Sequence, residues 1–331
     1  MDRREQTGKS TPHWFLPLLV GIITFAFVWV GREPPDLRPA AHDVDYFWVA
    51  GHAVARGENP YTATRELIGK GRFDFPFYYP GTAAVVLAPF GALPHRLGVA
   101  LFTALGLGLL TWSLPGWRKW ILLSAPVFES ILIGQWSPWT TAAVGLPWLG
   151  FIWAVKPSIG LALFAGWPSR KALYGGVATL LLSLLVLPGW PQDWLATLRD
   201  TPHYRAPILR PGGFLLLLAF LRWRYPEARM LGALALIPHL TGVYEQIPLL
   251  LIPQSRRTLG LFIGLTWLAS YLVYTRGTFG ATIADGLERQ WPYFLVLVWL
   301  PALGMVLMRR DRLTAPPARP GADRRLDEGD S

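Results

Sequence analysis

Two carboxylates, Asp43 and Asp45, open the stretch Asp-Val-Asp-Tyr-Phe-Trp-Val-Ala-Gly-His-Ala-Val-Ala-Arg-Gly-Glu-Asn-Pro-Tyr that runs from residue 43 to 61. A carboxylate can exchange a proton, pair with a cation or cap a helix. The run to Arg56 is compatible with a helix and is closed by Gly57 and the turn-like Glu58-Asn59-Pro60-Tyr61. On a helix, side chains two residues apart diverge by about 200°. Both acids therefore cannot address one small site unless one of them lies outside the helix, so one is expected to be chemical and the other structural. Asp43 also has a plainer reading, as an N-cap that accepts from free amide groups.

The element before these acids, Trp14 to Gly31, is an apolar run close to the roughly 20 residues a helix needs to cross the hydrocarbon core. Further apolar runs follow down to Met308, and the 331 residues are 52% hydrophobic and 16% charged, beyond an ordinary soluble domain. Seventeen Trp and eleven Tyr suit the membrane boundary, where an apolar ring with a polar tip settles. The chain is thus expected to be all-α, a polytopic transmembrane helix bundle with about 10 to 12 membrane segments, some short or broken. Candidate spans lie near 14–31, 77–93, 97–114, 120–134, 138–154, 157–168, 172–188, 213–223, 228–241, 243–254, 258–275 and 293–309. Prolines such as Pro126, Pro147 and Pro248 break or kink several of them. Broken helices at membrane depth are tolerated where they are buried in protein or line a wet cavity, so a solvated pocket is implied.

Orientation follows from Lys and Arg in short loops. Arg3, Arg4 and Lys9, Arg170 and Lys171, Arg222, Arg224 and Arg229, Arg256 and Arg257, and Arg309, Arg310 and Arg312 are all cytoplasmic if the spans alternate. Residues 32–76, 189–212 and 276–292 are then outside; around Gly134 two short segments either cross or dip in and return. The basic start followed by a long apolar run with no small-residue cleavage site reads as an uncleaved anchor. Residues 1–313 are expected to form one integral membrane domain, with 32–76 as its external first loop, and 314–331 a disordered cytoplasmic tail. The formal charge of +10 is scattered between apolar segments and not gathered on one face, which argues against nucleic acid. The absence of cysteine excludes disulfides, thiolate chemistry and Cys-ligated metals. The six histidines show no metal-ligand spacing, so no metal and no cofactor is expected.

The stretch around Asp43 resembles the polyprenol-phosphate-mannose-dependent glycosyltransferases of family 87, which are C-type membrane glycosyltransferases. The resemblance is carried by Asp43, Phe47-Trp48, Ala50-Gly51, Gly57 and Pro60-Tyr61. Farther on it continues in Phe77-Tyr78-Tyr79-Pro80 with Pro89 and Leu93-Pro94, in Gly134-Gln135, in Lys156-Pro157, and in Pro238-His239 followed by Tyr244-Glu245. Order and approximate spacing hold over residues 14 to 310, although Gly81 stands where the family commonly has a second Pro. The resemblance implies the C-type bundle and transfer of a hexose, mannose above all, from a polyprenyl phosphate donor to a lipid or glycan acceptor beside the lipid bilayer. It assigns the general base to Asp43, with Asp45 as runner-up because a two-residue register error would exchange them.

In that reaction a sugar hydroxyl attacks the anomeric carbon and the phosphate leaves as an anion. A phosphate departs without being protonated, so one carboxylate suffices where a glycosidase needs two. Fixed positive charge must meet the growing charge on the phosphate. Lys156, Arg205 and Arg210 are the cations near the external boundary, where the commoner use of a basic residue is as a headgroup anchor. Tyr79 and Gln135 are further substrate-binding candidates within the matching motifs. His239 and Glu245, ionisable groups inside apolar segments, join them, because a buried charge is costly unless paired or neutralised. Glu129 and His52 are read as structural. With no phosphate-cradling glycine loop, a nucleotide-sugar donor is disfavoured. Residues 190–200 have an apolar face at near-helical spacing and suit a helix lying flat on the outer leaflet. The rival reading is a transporter or flippase of a lipid-linked sugar or other solute, with polar residues continuing through the bundle.

Overall fold

The computed structural model describes residues 12–31, 42–70, 75–199, 204–276 and 283–309. The basic residues Arg3, Arg4, Lys9, Arg310 and Arg312, residues 32–41 and 71–74 of the loop 32–76, and the tail 314–331 lie outside the described residues. Within them the chain is all-helical, with no strand. Fourteen α-helices follow one another: α1 (Phe15–Gly31), α2 (Asp43–Ala55), α3 (Pro60–Gly69), α4 (Gly81–Gly91), α5 (His95–Ser113), α6 (Ala125–Ile133), α7 (Ser137–Gly145), α8 (Pro157–Gly166), α9 (Arg170–Val186), α10 (Trp190–Arg199), α11 (Pro226–Leu236), α12 (Arg256–Thr275), α13 (Ile283–Phe294) and α14 (Leu300–Leu307). Stretches of 3₁₀ helix fill Gly116–Leu123, Pro147–Ala154, Gly213–Arg222 and Val243–Leu251, and a π-turn at Leu295–Trp299 joins α13 to α14.

Three of these elements, His95–Ser113, Arg256–Thr275 and the continuous Asp285–Leu307, are long and apolar enough to cross a membrane. The pair α9 and α10 would qualify together but is bent by 97°. Among the described residues other apolar helices, α1, α4 and α8, are shorter, in keeping with a bundle in which some segments are short or broken. The run 120–134 divides at Ser124 before Pro126, and 138–154 divides before Pro147. Proline explains both breaks, since its missing N–H and its ring are accommodated in the first turn of a helix and not in its interior.

The outward faces are apolar. Leu18, Ile22, Ile23, Phe27 and Val30 on α1, Leu181 and Leu185 on α9, and Leu261 on α12 are exposed. Such a surface is far too apolar for water and suits lipid. Inside, α1 runs along α5 and α2 crosses α4. One buried cluster joins α2, α4, α5 and α7 through Phe47, Phe102, Trp136 and Trp139. A second gathers α8, α11, α12 and α14 around Met230, Phe262 and Trp299.

Candidate active site

Helix α2 begins at Asp43, one residue after the extended N-cap His42. Asp45 does the capping: its Oδ2 accepts from the His42 backbone N–H at 2.7 Å, and its Oδ1 meets His95 Nε2 of α5 at 2.8 Å. The N-cap reading of Asp43 is thereby corrected. A carboxylate in the third helical position can reach back over the free amides, whereas one in the first projects away from them. Asp45 is fully buried, with both oxygens engaged, and ties α2 to the start of α5.

Asp43 instead lines a cavity of about 1190 Å³ together with Tyr79, Lys156, His239, Tyr244 and Glu245. Its Oδ2 accepts from the Gln135 side-chain amide. Gln135 is brought there by Gly134, which ends α6 in a left-handed conformation (φ 69°). A Cβ at Gly134 would overlap the Val44 side chain beside Asp43. The Gln135 oxygen also accepts from the Tyr79 hydroxyl at 3.4 Å. Gln135 does not itself line the cavity; it holds two groups that do. Burial pushes the Asp43 carboxyl up from 3.8 to about 6, against the opposing pull of Lys156 and of the Gln135 hydrogen bond.

Lys156 precedes Pro157, the first residue of α8, in non-helical backbone (φ −130°, ψ 77°), since proline disfavours the helical region for the residue before it. Its ammonium donates to Glu245 Oε1 and lies 5.5 Å from the ring centres of both Tyr79 and Tyr244. The two buried charges thus neutralise each other, as two charges removed from water must. His239 Nδ1 lies 2.8 Å from the Ile237 carbonyl. A carbonyl accepts only, so Nδ1 carries the hydrogen and, in the neutral ring, Nε2 retains its lone pair.

Two expected cations are elsewhere. Arg210 is buried outside the cavity, donating to Thr241 Oγ1 at 2.6 Å, pairing with Glu288 at 3.5 Å and lying over the Trp291 ring. Its guanidinium is committed to packing α13 against the segment before Gly213. Arg205 is exposed and does not line the cavity. Arg199, at the end of α10, does line it, as do Tyr204, Tyr244 and Gln290. Motif matching passes over Arg199, Tyr204 and Gln290 because their spacing to Asp43 is set only by the fold, whereas Tyr244 stood in a matching motif; Arg199 was legible as part of the amphipathic pattern of residues 190–200. That helix α10 lies over the cavity with Trp194, Leu195 and Leu198 in its lining, fastened by Trp194 Nε1 to the Tyr78 carbonyl at 2.9 Å and by Asn59 to Asp193 at 2.7 Å. Among the described lining residues, Asp43, Glu129 and Glu245 are acidic and Lys156 and Arg199 basic. The arrangement provides a proton acceptor next to a cation on the wall of an otherwise apolar and aromatic hollow. No cluster among the described residues has the ligand set of a metal site.

No family model matches the chain, and no solved structure matches it. Among characterised proteins, the chain is similar to a polyprenol-phosphate-mannose-dependent alpha-(1-2)-phosphatidylinositol mannoside mannosyltransferase of Mycolicibacterium smegmatis, with 27% identity over 182 residues. The similarity covers 53% of this chain and 38% of that relative.

Proposed function

We propose that the chain is a membrane-bound hexosyltransferase of family 87, of the C-type. It moves mannose from a polyprenyl phosphate donor to a membrane lipid or glycan acceptor at the outer face of the cytoplasmic membrane. One integral membrane domain over 1–313 carries the activity. The observation that carries this reading is the position of Asp43: a carboxylate held by Gln135 on the wall of a large aromatic cavity that also holds Lys156. The distant mannosyltransferase similarity agrees with it.

In this reading the acceptor hydroxyl gives its proton to Asp43 as its oxygen bonds to the anomeric carbon. The bond from that carbon to the phosphate oxygen breaks, and polyprenyl phosphate leaves with the bonding pair. Attack opposite the leaving group inverts the anomeric centre. Lys156 meets the departing phosphate, which must first draw it from Glu245. An ammonium gripped by one buried carboxylate is desolvated and oriented before the donor arrives, so its attraction to the phosphate is realised without rearranging water. Gln135, itself tied to Tyr79, holds the base, and His239 offers the Nε2 lone pair to a hydroxyl of the bound sugar. Arg199 supplies a second cation near α10, where the apolar Leu195 and Leu198 suit the carrier's isoprenoid chain.

The test is incubation of the purified protein with radiolabelled polyprenyl phosphate mannose and phosphatidylinositol mannoside. Wild type is expected to form a labelled product and Asp43→Asn to lose at least about 100-fold in rate, the span of one general base. Equal rates for the two proteins would remove Asp43 from the chemistry. Transport of donor across vesicles without any new product would move the chain to the carrier class.

A further inference from the structure

A third carboxylate in the cavity, besides Asp43 and Glu245, has no task in the reaction just described. Glu129 of α6 lines the same hollow as Asp43. Its Oε1 accepts from the Tyr274 hydroxyl of α12 at 2.8 Å. Its Oε2 is buried and has no hydrogen-bond partner among the described residues. A buried carboxylate oxygen without a donor is costly, and a fold that keeps one beside a hollow is prepared for a ligand that brings the hydrogen. The ligand's charge follows from the same atoms. Lys156 is already paired with Glu245, and among the described residues no cation pairs with Glu129. A phosphate would be repelled at Glu129, whereas a neutral polyol brings the hydroxyl hydrogens that a carboxylate accepts. In a displacement the nucleophile enters on the side away from the leaving group, so the acceptor is held apart from Lys156 and next to Asp43.

We infer that Glu129 is an acceptor-positioning residue, its unmatched oxygen taking hydroxyls of a neutral sugar headgroup so that a neighbouring hydroxyl meets Asp43. The inference rests on the transferase reading only for the word acceptor; the polyol site is testable without turnover. Tyr274 orients the carboxylate and is secondary.

Octyl α-D-mannoside and, separately, polyprenyl phosphate are titrated into the purified full chain, with intrinsic tryptophan fluorescence as the readout of binding. Glu129→Gln is expected to weaken mannoside binding by about 10- to 100-fold, the loss for a hydrogen bond to a charged group, and to leave polyprenyl phosphate within about twofold. Tyr274→Phe, which removes the hydroxyl tie to Glu129 between α12 and α6, is expected to weaken the mannoside by less than about threefold. The inference is overturned if the mannoside does not bind wild type or binds Glu129→Gln equally well. It is also overturned if Tyr274→Phe loses as much as Glu129→Gln, or if both ligands are lost together, since each marks a structural tie. Should Glu129→Gln not fold, Glu129→Asp, which keeps the charge and withdraws the oxygens, must show the same selective loss. If wild type binds the mannoside through Glu129 yet transfers no label from any polyprenyl phosphate sugar, the polyol site stands and the transferase reading falls.

Discussion

At the scale of single residues, the pair Asp43 and Asp45 separates two uses of one side chain. Both stand in the first turn of α2 within a mostly buried segment, yet one meets a backbone amide and His95 while the other meets Gln135 and a cavity. The environment of Asp43 bears on pH. Only its ionised form accepts a proton, and burial has moved its pKa to about 6. Below that pH, kcat/KM for transfer is expected to fall about tenfold per unit, with a plateau above it. A profile still flat at about pH 5 would exclude Asp43 as the base. The sign for stability is opposite to that of a salt-bridged acid. A carboxyl whose folded pKa lies above the unfolded value of 3.8 lowers stability increasingly as pH rises from about 4 to about 6, and by a constant amount beyond. Asp43→Asn is therefore expected not to lower the melting temperature at pH 7, so that its loss of transfer is not a loss of fold.

At the scale of elements, the position of the base depends on how closely α2 crosses α4. Gly51 and Gly91 mark the crossing: a Cβ on Gly51 would overlap the Leu87 carbonyl, and one on Gly91 the backbone of Gly51 and His52. Small residues permit such backbone approach, which in a membrane bundle replaces the hydrophobic effect as the source of association. His52 adds a hydrogen bond to the Gly91 carbonyl at 2.8 Å, and Trp48 Nε1 one to the Leu93 carbonyl at 3.1 Å. Gly91→Ala is expected to destabilise by about 1–3 kcal/mol, as overpacking does, and to lower transfer because α2 carries Asp43. Gly69→Ala, at the open end of α3 with nothing within 4 Å of the added Cβ, serves as the neutral control. Equal melting temperatures for the two variants would show that the crossing tolerates a methyl group.

At the scale of the whole molecule, the fold has to be placed in a bilayer. The chain has no cysteine, so single cysteines report without background. Exposed Glu58, beyond α2, and exposed Arg257, at the start of α12, fall on opposite sides if the basic loops face the cytoplasm. In intact cells a membrane-impermeant maleimide is expected to label Glu58→Cys and to reach Arg257→Cys only after permeabilisation. The reverse pattern would invert the orientation and put the cavity on the cytoplasmic side.

The sequence by itself determined the solvent of this protein, its helical class and the register of its apolar runs, because apolar blocks, proline breaks and basic loops are local properties of the chain. The same local reading marked Asp43, Lys156, His239 and Glu245, whose residue types and neighbours were unusual where they stood. Only the tertiary structure decided that these four share one cavity, that Asp45 and Arg210 are spent on packing, and that Glu129 and Arg199 belong beside the site. A carboxylate's role depends on which donor lies within about 3 Å of it, and His95, Gln135, Lys156 and Tyr274 stand 50 to 145 positions from the carboxylates they meet, a separation over which one chain carries no pattern.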